Sequence, residues 1–298
     1  MAEPQRIVIL GGGIGGVVAA RRIRSLVPRE SRVILVDRQA LQSFPPSYTW
    51  VMTGERSPAS ITRDLRRLSR KGIEFVEGAV DAIDVEKRTI TAGGAEIAYD
   101  YLVVALGAEL APDAVPGLAG EACSYYGADD AERLHGELER FSGGRVAVLI
   151  PSLPYKCPAA PYEGAMLLDS LFRKRGIRNR VEISLSTPEP QPLPVAGPAL
   201  GSAVVSMLEQ KEIAYHPQRK TASVDAATHE IVFEDGTREG YDLLIAVPPH
   251  RPPAVVRASP LAGPSGWAPV DAHTLATASP RVYAIGDVTA IALFDDKM

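Results

Sequence analysis

Short apolar runs separated by glycine- and proline-rich turns recur along the chain, and they predict an α/β protein. Arg6–Leu10 (RIVIL) is apolar and β-branched, the pattern of a strand buried on both faces of a parallel sheet. Gly11-Gly12-Gly13-Ile14-Gly15-Gly16 follows, then a helical stretch to about Leu26 that Pro28 stops. Residues 32–36 (RVILV) predict a second buried strand, closed by Asp37. After a Pro/Ser loop at 43–47, residues 61–71 predict a basic helix. Its Ile61, Leu65 and Leu68 turn inward at helical spacing, and its arginines form a solvated face rather than a membrane-contacting one. Residues 74–76 read as a strand. Short alternating strands follow, turned by Gly93-Gly94, and residues 99–105 (YDYLVVA) predict another buried strand.

The pattern then repeats. Residues 145–149 (RVAVL) match 6–10, 139 positions on, and residues 241–246 (YDLLIA) match 99–104, 142 positions on. Residues 230–234 and the Asp235-Gly236 turn repeat the earlier hairpin. The expected fold class is α/β, with two Rossmann-like units that each carry an inserted antiparallel ribbon. Residues 270–288 return to strand-like sequence and complete the first unit, so the expected division is 1–108 plus 252–298 for the first unit and 109–251 for the second.

Composition narrows the function. A length of 298 residues leaves room for two domains, and 46% hydrophobic with 23% charged residues excludes wholesale disorder. The net charge of −4 argues against a nucleic-acid binder. Two cysteines, Cys123 and Cys157, make no disulfide scaffold. No apolar run reaches the ~18 residues of a membrane helix. The longest, residues 7–20, holds five glycines and lacks a cleavage signal, so a cytoplasmic setting is expected. The five histidines are scattered and there is no CxxC or HExxH, so no metal site is expected.

The glycine run carries the chemistry. A lone GxGxxG is weak, but Gly11, Gly13 and Gly16 directly follow a strand and open a helix, and Asp37 ends the next strand 21 residues past Gly16. That context is the dinucleotide fingerprint: a tight turn at Gly11, backbone approach to a pyrophosphate at Gly13, close packing at Gly16, and ribose hydroxyls on Asp37. In the second copy the same offsets give Ile150, Ser152 and Tyr155, and the strand at 181–185 ends in Ser186-Thr187 with no acid. The second unit is therefore expected to have lost its dinucleotide, with Tyr155-Lys156-Cys157-Pro158 in its place.

With these segments the chain resembles the two-dinucleotide-binding-domain flavoproteins of the pyridine nucleotide-disulfide oxidoreductase family. More narrowly it resembles sulfide:quinone oxidoreductases and the flavocytochrome c sulfide dehydrogenase flavoprotein. The resemblance rests on residues 11–16, 44–51 (FPPSYTWV), 105–107 (ALG), 156–163 (KCPAAPYE), 248–253 (PPHRPP) and 283–288 (YAIGDV). It implies FAD in the first unit, an FAD-binding domain held by Gly11, Gly13, Gly15, Gly16, Asp37, Arg38, Ala105, Gly107, Gly286 and Asp287, with the Val80 backbone at the adenine. Pro46 and Cys157 are implied near the isoalloxazine, Cys157 facing it from the second unit. The implied reaction oxidises sulfide to sulfane sulfur held as a persulfide on Cys157, with Cys123 a further redox cysteine and Glu163 an acid or base. The resemblance also implies that the electrons pass to a quinone or a cytochrome.

Three departures qualify this. Gly127 stands where the quinone branch often has a histidine, and residues 189–194 hold none. The family pattern also runs on past Met298. The part beyond it is expected to hold a loop over the flavin, a third cysteine, and the quinone- and membrane-contacting helices, which would give peripheral contact at the cytoplasmic face. Two alternatives stand beside this expectation: an NAD(P)H-dependent oxidoreductase like type II NADH dehydrogenase, opposed by the lost glycines, and a redox-inactive flavin-binding fragment.

Overall fold

A computed structural model describes residues 3–291. The chain divides into two compact units. The first comprises the chain up to Gln42, Thr62–Glu109, and the chain from Arg251 on; the second comprises Ser43–Ile61 and Leu110–His250. Residues 295–298, singled out in the sequence, lie outside the described residues.

The first unit is built on a five-stranded parallel sheet, in the order Val282–Ala284, Tyr101–Val104, Arg6–Leu10, Arg32–Asp37, Glu74–Glu77. Leu10 stands opposite both Val36 and Val104. Period-two alternation sends Val8, Leu10, Ile34, Val36, Leu102 and Val104 into one core, with Ile83 and Ile90 of the ribbon. It sends Ile7, Ile9, Val33, Leu35 and Val103 into another, with Ala20 of helix Ile14–Leu26. Both faces are covered, which is why these strands are apolar without interruption. In the ribbon, Thr89–Ala92 turns into Ala95–Ala98 through Gly93 (φ 54°) and Gly94 (φ 80°), a two-residue turn that needs left-handed backbone at both positions.

The basic segment differs from the expected helix. Thr62–Asp64 is a short strand and Leu65–Lys71 a 3-10 helix. The Asp64 carboxylate accepts from the Arg66 backbone N–H at 2.9 Å, which starts a new turn, and Gly72 in the left-handed region ends it. Leu65 and Leu68 still pack inward.

The second unit repeats the plan with a four-stranded parallel sheet, in the order Ile213–His216, Val181–Ser186, Gly144–Leu149, Leu243–Ala246, and an antiparallel ribbon of Thr221–Asp225, Glu230–Phe233 and Arg238–Gly240. Where the first unit has Val282–Ala284 beside Tyr101–Val104, this sheet has a single bridge from Cys123 to Ile245. Cys123 N–H donates to Leu244 O at 2.9 Å, and Ala246 N–H donates to Cys123 O at 2.8 Å. Residues 43–61, expected in the first unit, belong to the second. Val51, Met52 and Ile61 share a core with Tyr126, Ala131 and Leu134, where helix Tyr48–Met52 meets helix Ala128–Arg140. Among the described residues no helix is long and apolar enough to cross a membrane.

Helix Ala160–Lys174 is tied into the second unit by a buried carboxylate. Asp169, 1% exposed at its side chain, accepts from Arg178 Nε at 2.7 Å, Arg173 Nε at 3.0 Å and Lys211 Nζ at 3.3 Å. Burial opposes its charge, but these bonds outweigh burial and hold its pKa below the usual carboxylate range. The stabilisation is therefore complete above about pH 4 and is lost as pH falls through the lowered value. Asp169→Ala leaves three cations without their partner and is expected to lower stability by about 3 kcal/mol, the low end for a broken buried pair because Arg173 is half exposed. Urea unfolding at pH 7 measures this, and the deficit should shrink at pH 3.

Candidate functional site

In the first unit the predicted residues gather at the carboxyl ends of the parallel strands, the edge where open α/β sheets bind ligands. Only residues 11–13 separate the end of Arg6–Leu10 from the start of helix Ile14–Leu26. Gly11 N–H donates to Val36 O at 2.8 Å. A side chain on Gly16 would overlap the Gly11 carbonyl oxygen, and one on Gly11, at φ 100°, would overlap the Ala105 carbonyl. Gly13 is different. It is exposed, its backbone is extended (φ −68°, ψ −175°), and apart from Gly13 itself and its two chain neighbours no described residue comes within 4 Å of where a Cβ would stand. The helix has no acidic residue in its first turn. An open N-terminus with free N–H groups and the positive end of the helix dipole is an anion cradle.

The other first-unit residues surround it. Asp37 Oδ2 accepts from Gly12 N–H at 2.5 Å and Oδ1 from Gln39 N–H at 2.8 Å. These bonds fix the carboxylate and leave each oxygen capacity for a hydroxyl. Arg38 follows it, exposed. Val80 opens the ribbon just past Glu77, the register partner of Asp37, and Gly78 N–H donates to Asp37 O at 2.8 Å. Ala105 N–H donates to Leu10 O at 2.7 Å, and Gly107 follows with φ 67°. Ile285 N–H donates to Val104 O at 2.9 Å, and the Ile285 side chain stands 3.5 Å from where a Gly15 Cβ would lie. That places Gly286 (φ 76°) and the exposed Asp287 at the same sheet edge.

Pro46, Cys123, Cys157 and Glu163 all lie in the second unit. Pro46 is exposed in the turn Pro45–Ser47. The glycine-for-glycine match expected at 150, 152 and 155 holds only at the first position. Ile150 N–H donates to Ser186 O at 2.9 Å, as Gly11 does to Val36, but the chain then takes residues 150–159 to reach helix Ala160–Lys174, against three residues in the first unit. Ser152 and Tyr155 therefore occupy an inserted loop and do not replace Gly13 and Gly16 in space. The helix opens with Pro161, which has no N–H, and Glu163 in its first turn, both adverse to a phosphate.

Cys157 sits in this loop, exposed, with φ 55°, and its carbonyl accepts from Ala160 N–H at 3.0 Å. Glu163 is exposed one turn further on and accepts from Thr49 Oγ1 at 3.4 Å. The two side chains share one helix start. Around them stand Tyr125, whose hydroxyl donates to Ala160 O at 2.9 Å, and Tyr126, edge-on to His250 with centroids 5.6 Å apart. Burial, then the charge of Lys156, lowers the His250 pKa to about 4, so the ring is neutral near pH 7. Cys123 is unlike Cys157: it is half-buried against the apolar core, and burial pushes its thiol up.

The strand Val181–Ser186 does lead to an acid, three residues past its end. Glu189 is 4% exposed and accepts from Tyr155 at 2.9 Å and Tyr162 at 2.7 Å. No local sequence signal marks Glu189 as buried, because its partners Tyr155 and Tyr162 lie 34 and 27 residues away along the chain.

The chain matches two family descriptions. Residues 5–149 match "Pyridine nucleotide-disulphide oxidoreductase", and residues 132–248 match "Sulfide dehydrogenase [flavocytochrome c] flavoprotein chain, central". It is 28% identical over 95% of its length to "Sulfide:quinone oxidoreductase, mitochondrial" of Mus musculus and 29% identical over 95% to the protein of that name in Dictyostelium discoideum. It spans 65% of the length of each, less than two thirds. The solved sulfide:quinone oxidoreductase of Aquifex aeolicus superimposes with a TM-score of 0.87 at 25% identity, over 96% of this chain and 69% of that one.

The two thiols should separate chemically. With iodoacetamide at pH 8, Cys157 is expected to alkylate at least about tenfold faster than Cys123, measured by mass spectrometry of peptides over time.

Proposed function

We propose that this chain, which belongs to the sulfide:quinone oxidoreductase and flavocytochrome c sulfide dehydrogenase branch of the pyridine nucleotide-disulphide oxidoreductases, is an FAD-dependent oxidoreductase that converts sulfide to sulfane sulfur. The observation that carries the reading is a division of labour between the repeats: an open anion cradle at Gly13 in the first, and an exposed cysteine loop in the corresponding place of the second. The residues of the first unit fit FAD. Backbone N–H groups at the helix start and the space over Gly13 suit a pyrophosphate, Asp37 suits ribose hydroxyls, and Gly107, Gly286 and Asp287 border the same edge. When bound, FAD supplies a two-electron acceptor.

The chain's own chemistry lies at Cys157. Bonding a sulfide sulfur to the Cys157 thiolate forms a persulfide and releases two electrons and the sulfide proton. Glu163, at the same helix start, takes that proton. Cys123 is left outside the step because its buried environment disfavours the thiolate. A quinone is the favoured acceptor, supported by the names of the relatives, with a peripheral seat at the cytoplasmic face of a membrane. The longer second-unit loop, with Pro161 and Glu163 at its helix start, weighs against reduction by NADH.

The test is anaerobic. Chain loaded with FAD is expected to lose its flavin absorbance on adding sulfide, and Cys157→Ser should abolish that loss while keeping FAD bound. Gly13→Val should fold, since its backbone is extended and its surroundings open, yet lose FAD. Retention of sulfide-dependent bleaching by Cys157→Ser would contradict the proposal.

A further inference from the structure

We infer that Tyr155 and Glu189 are positioning residues for Cys157: their hydrogen bond anchors to the core of the second unit the loop that carries the thiol. The inference deepens the role proposed above for Cys157 and rests on it. From Ser152 to Ala159 the loop is half-buried or exposed, and Cys157 itself holds a left-handed backbone at φ 55°. A residue with a side chain keeps that conformation only where its surroundings impose it. Tyr155, two residues before Cys157, supplies such a restraint. Its hydroxyl donates to Glu189 Oε2 at 2.9 Å, with Pro158 O at 3.4 Å a weaker second acceptor. Two residues of chain reach at most about 7 Å, so the tether confines the Cys157 backbone closely.

The acceptor is itself fixed. Glu189 is 4% exposed, the same oxygen accepts from Tyr162 at 2.7 Å and from Thr187 Oγ1 at 3.3 Å, and Glu189 N–H donates to Thr187 Oγ1 at 3.2 Å. Tyr162 lies on helix Ala160–Lys174 and Thr187 just past strand Val181–Ser186, so the carboxylate is clamped by two regular elements. Bonds from a phenol to a carboxylate are stronger than neutral ones. Burial, and then the charge on Glu189, pushes the Tyr155 hydroxyl far up, so it stays a donor throughout the range in which proteins fold. The insertion that separates the second unit from a nucleotide-binding turn thus carries its own means of holding the cysteine.

The experiment reads the loop first and the chemistry second. In a Cys123→Ser background, Cys157 is labelled with 3-bromo-1,1,1-trifluoroacetone, the thiolate displacing bromide to form a C–S bond. The 19F spectrum of the folded, labelled chain is expected to be a single line. Tyr155→Phe and Glu189→Ala should shift it or split it into several lines, whereas Glu189→Gln, which keeps an acceptor, should retain one. Spectra of Tyr155→Phe and Glu189→Ala that superpose on the unsubstituted chain overturn the inference. With Cys123 present and FAD bound, Tyr155→Phe should lower the bleaching rate at saturating sulfide about tenfold, leave the half-saturating sulfide concentration unchanged and retain FAD; an unchanged rate also overturns it. An FAD-loaded unsubstituted chain that sulfide fails to bleach overturns the functional proposal instead, while the label spectra still decide the anchor.

Discussion

Helix Ile14–Leu26 comes so close to the end of its strand that Gly16 lies against the carbonyl of Gly11, and Gly11 in turn against the carbonyl of Ala105. No side chain fits at either place. The close approach keeps the connection to three residues, aims the first N–H groups of the helix at the sheet edge, and leaves Gly13 facing open space. Asp37 reaches the same turn through Gly12, and residues 105–107 and 285–287 border it. The anion cradle depends on this one backbone contact, because a longer or bulkier connection would carry the helix start away from the edge.

The second unit has given this contact up. Its sheet keeps the strand order and the bond from the first loop residue to the neighbouring strand, but ten residues now lead to the helix, and Pro161 and Glu163 open it. The space serves a different task. Two tyrosines meet a buried glutamate, and the loop they brace presents Cys157 and, one turn on, Glu163. The duplicated fold thus carries an open helix start suited to an anion in one copy, and in the other an exposed thiol two residues from a tyrosine bonded to a buried glutamate.

Much of this was legible in the sequence, for local reasons. RIVIL and RVILV pointed to buried parallel strands through their length and β-branched residues, and Gly93-Gly94 to a tight hairpin, because such preferences act over a few residues. The grouping of residues 11–16 with Asp37 followed from the strand–turn–helix context, whereas residues 105–107 and 286–287 were expected beside them only from the family resemblance. What escaped was set by partners far along the chain. Residues 43–61 join the second unit because Val51 and Met52 find their apolar neighbours beyond residue 125. The basic segment breaks because Asp64 restarts the turn. A constant offset of 139 hid the longer loop, and Glu189 gave no sign of being buried until Tyr155 and Tyr162 were brought to it.

On the proposed function, one repeat holds an adenine dinucleotide and the other carries a thiol in its place. Calorimetric titration of the unliganded chain with FAD, and then of the FAD-loaded chain with NADH, tests it most directly. The account predicts one FAD per chain, and no heat of binding for NADH at concentrations up to about a millimolar, where a Kd would correspond to only ~4 kcal/mol. A second equivalent of FAD, or saturable NADH binding to the FAD-loaded chain, would contradict it.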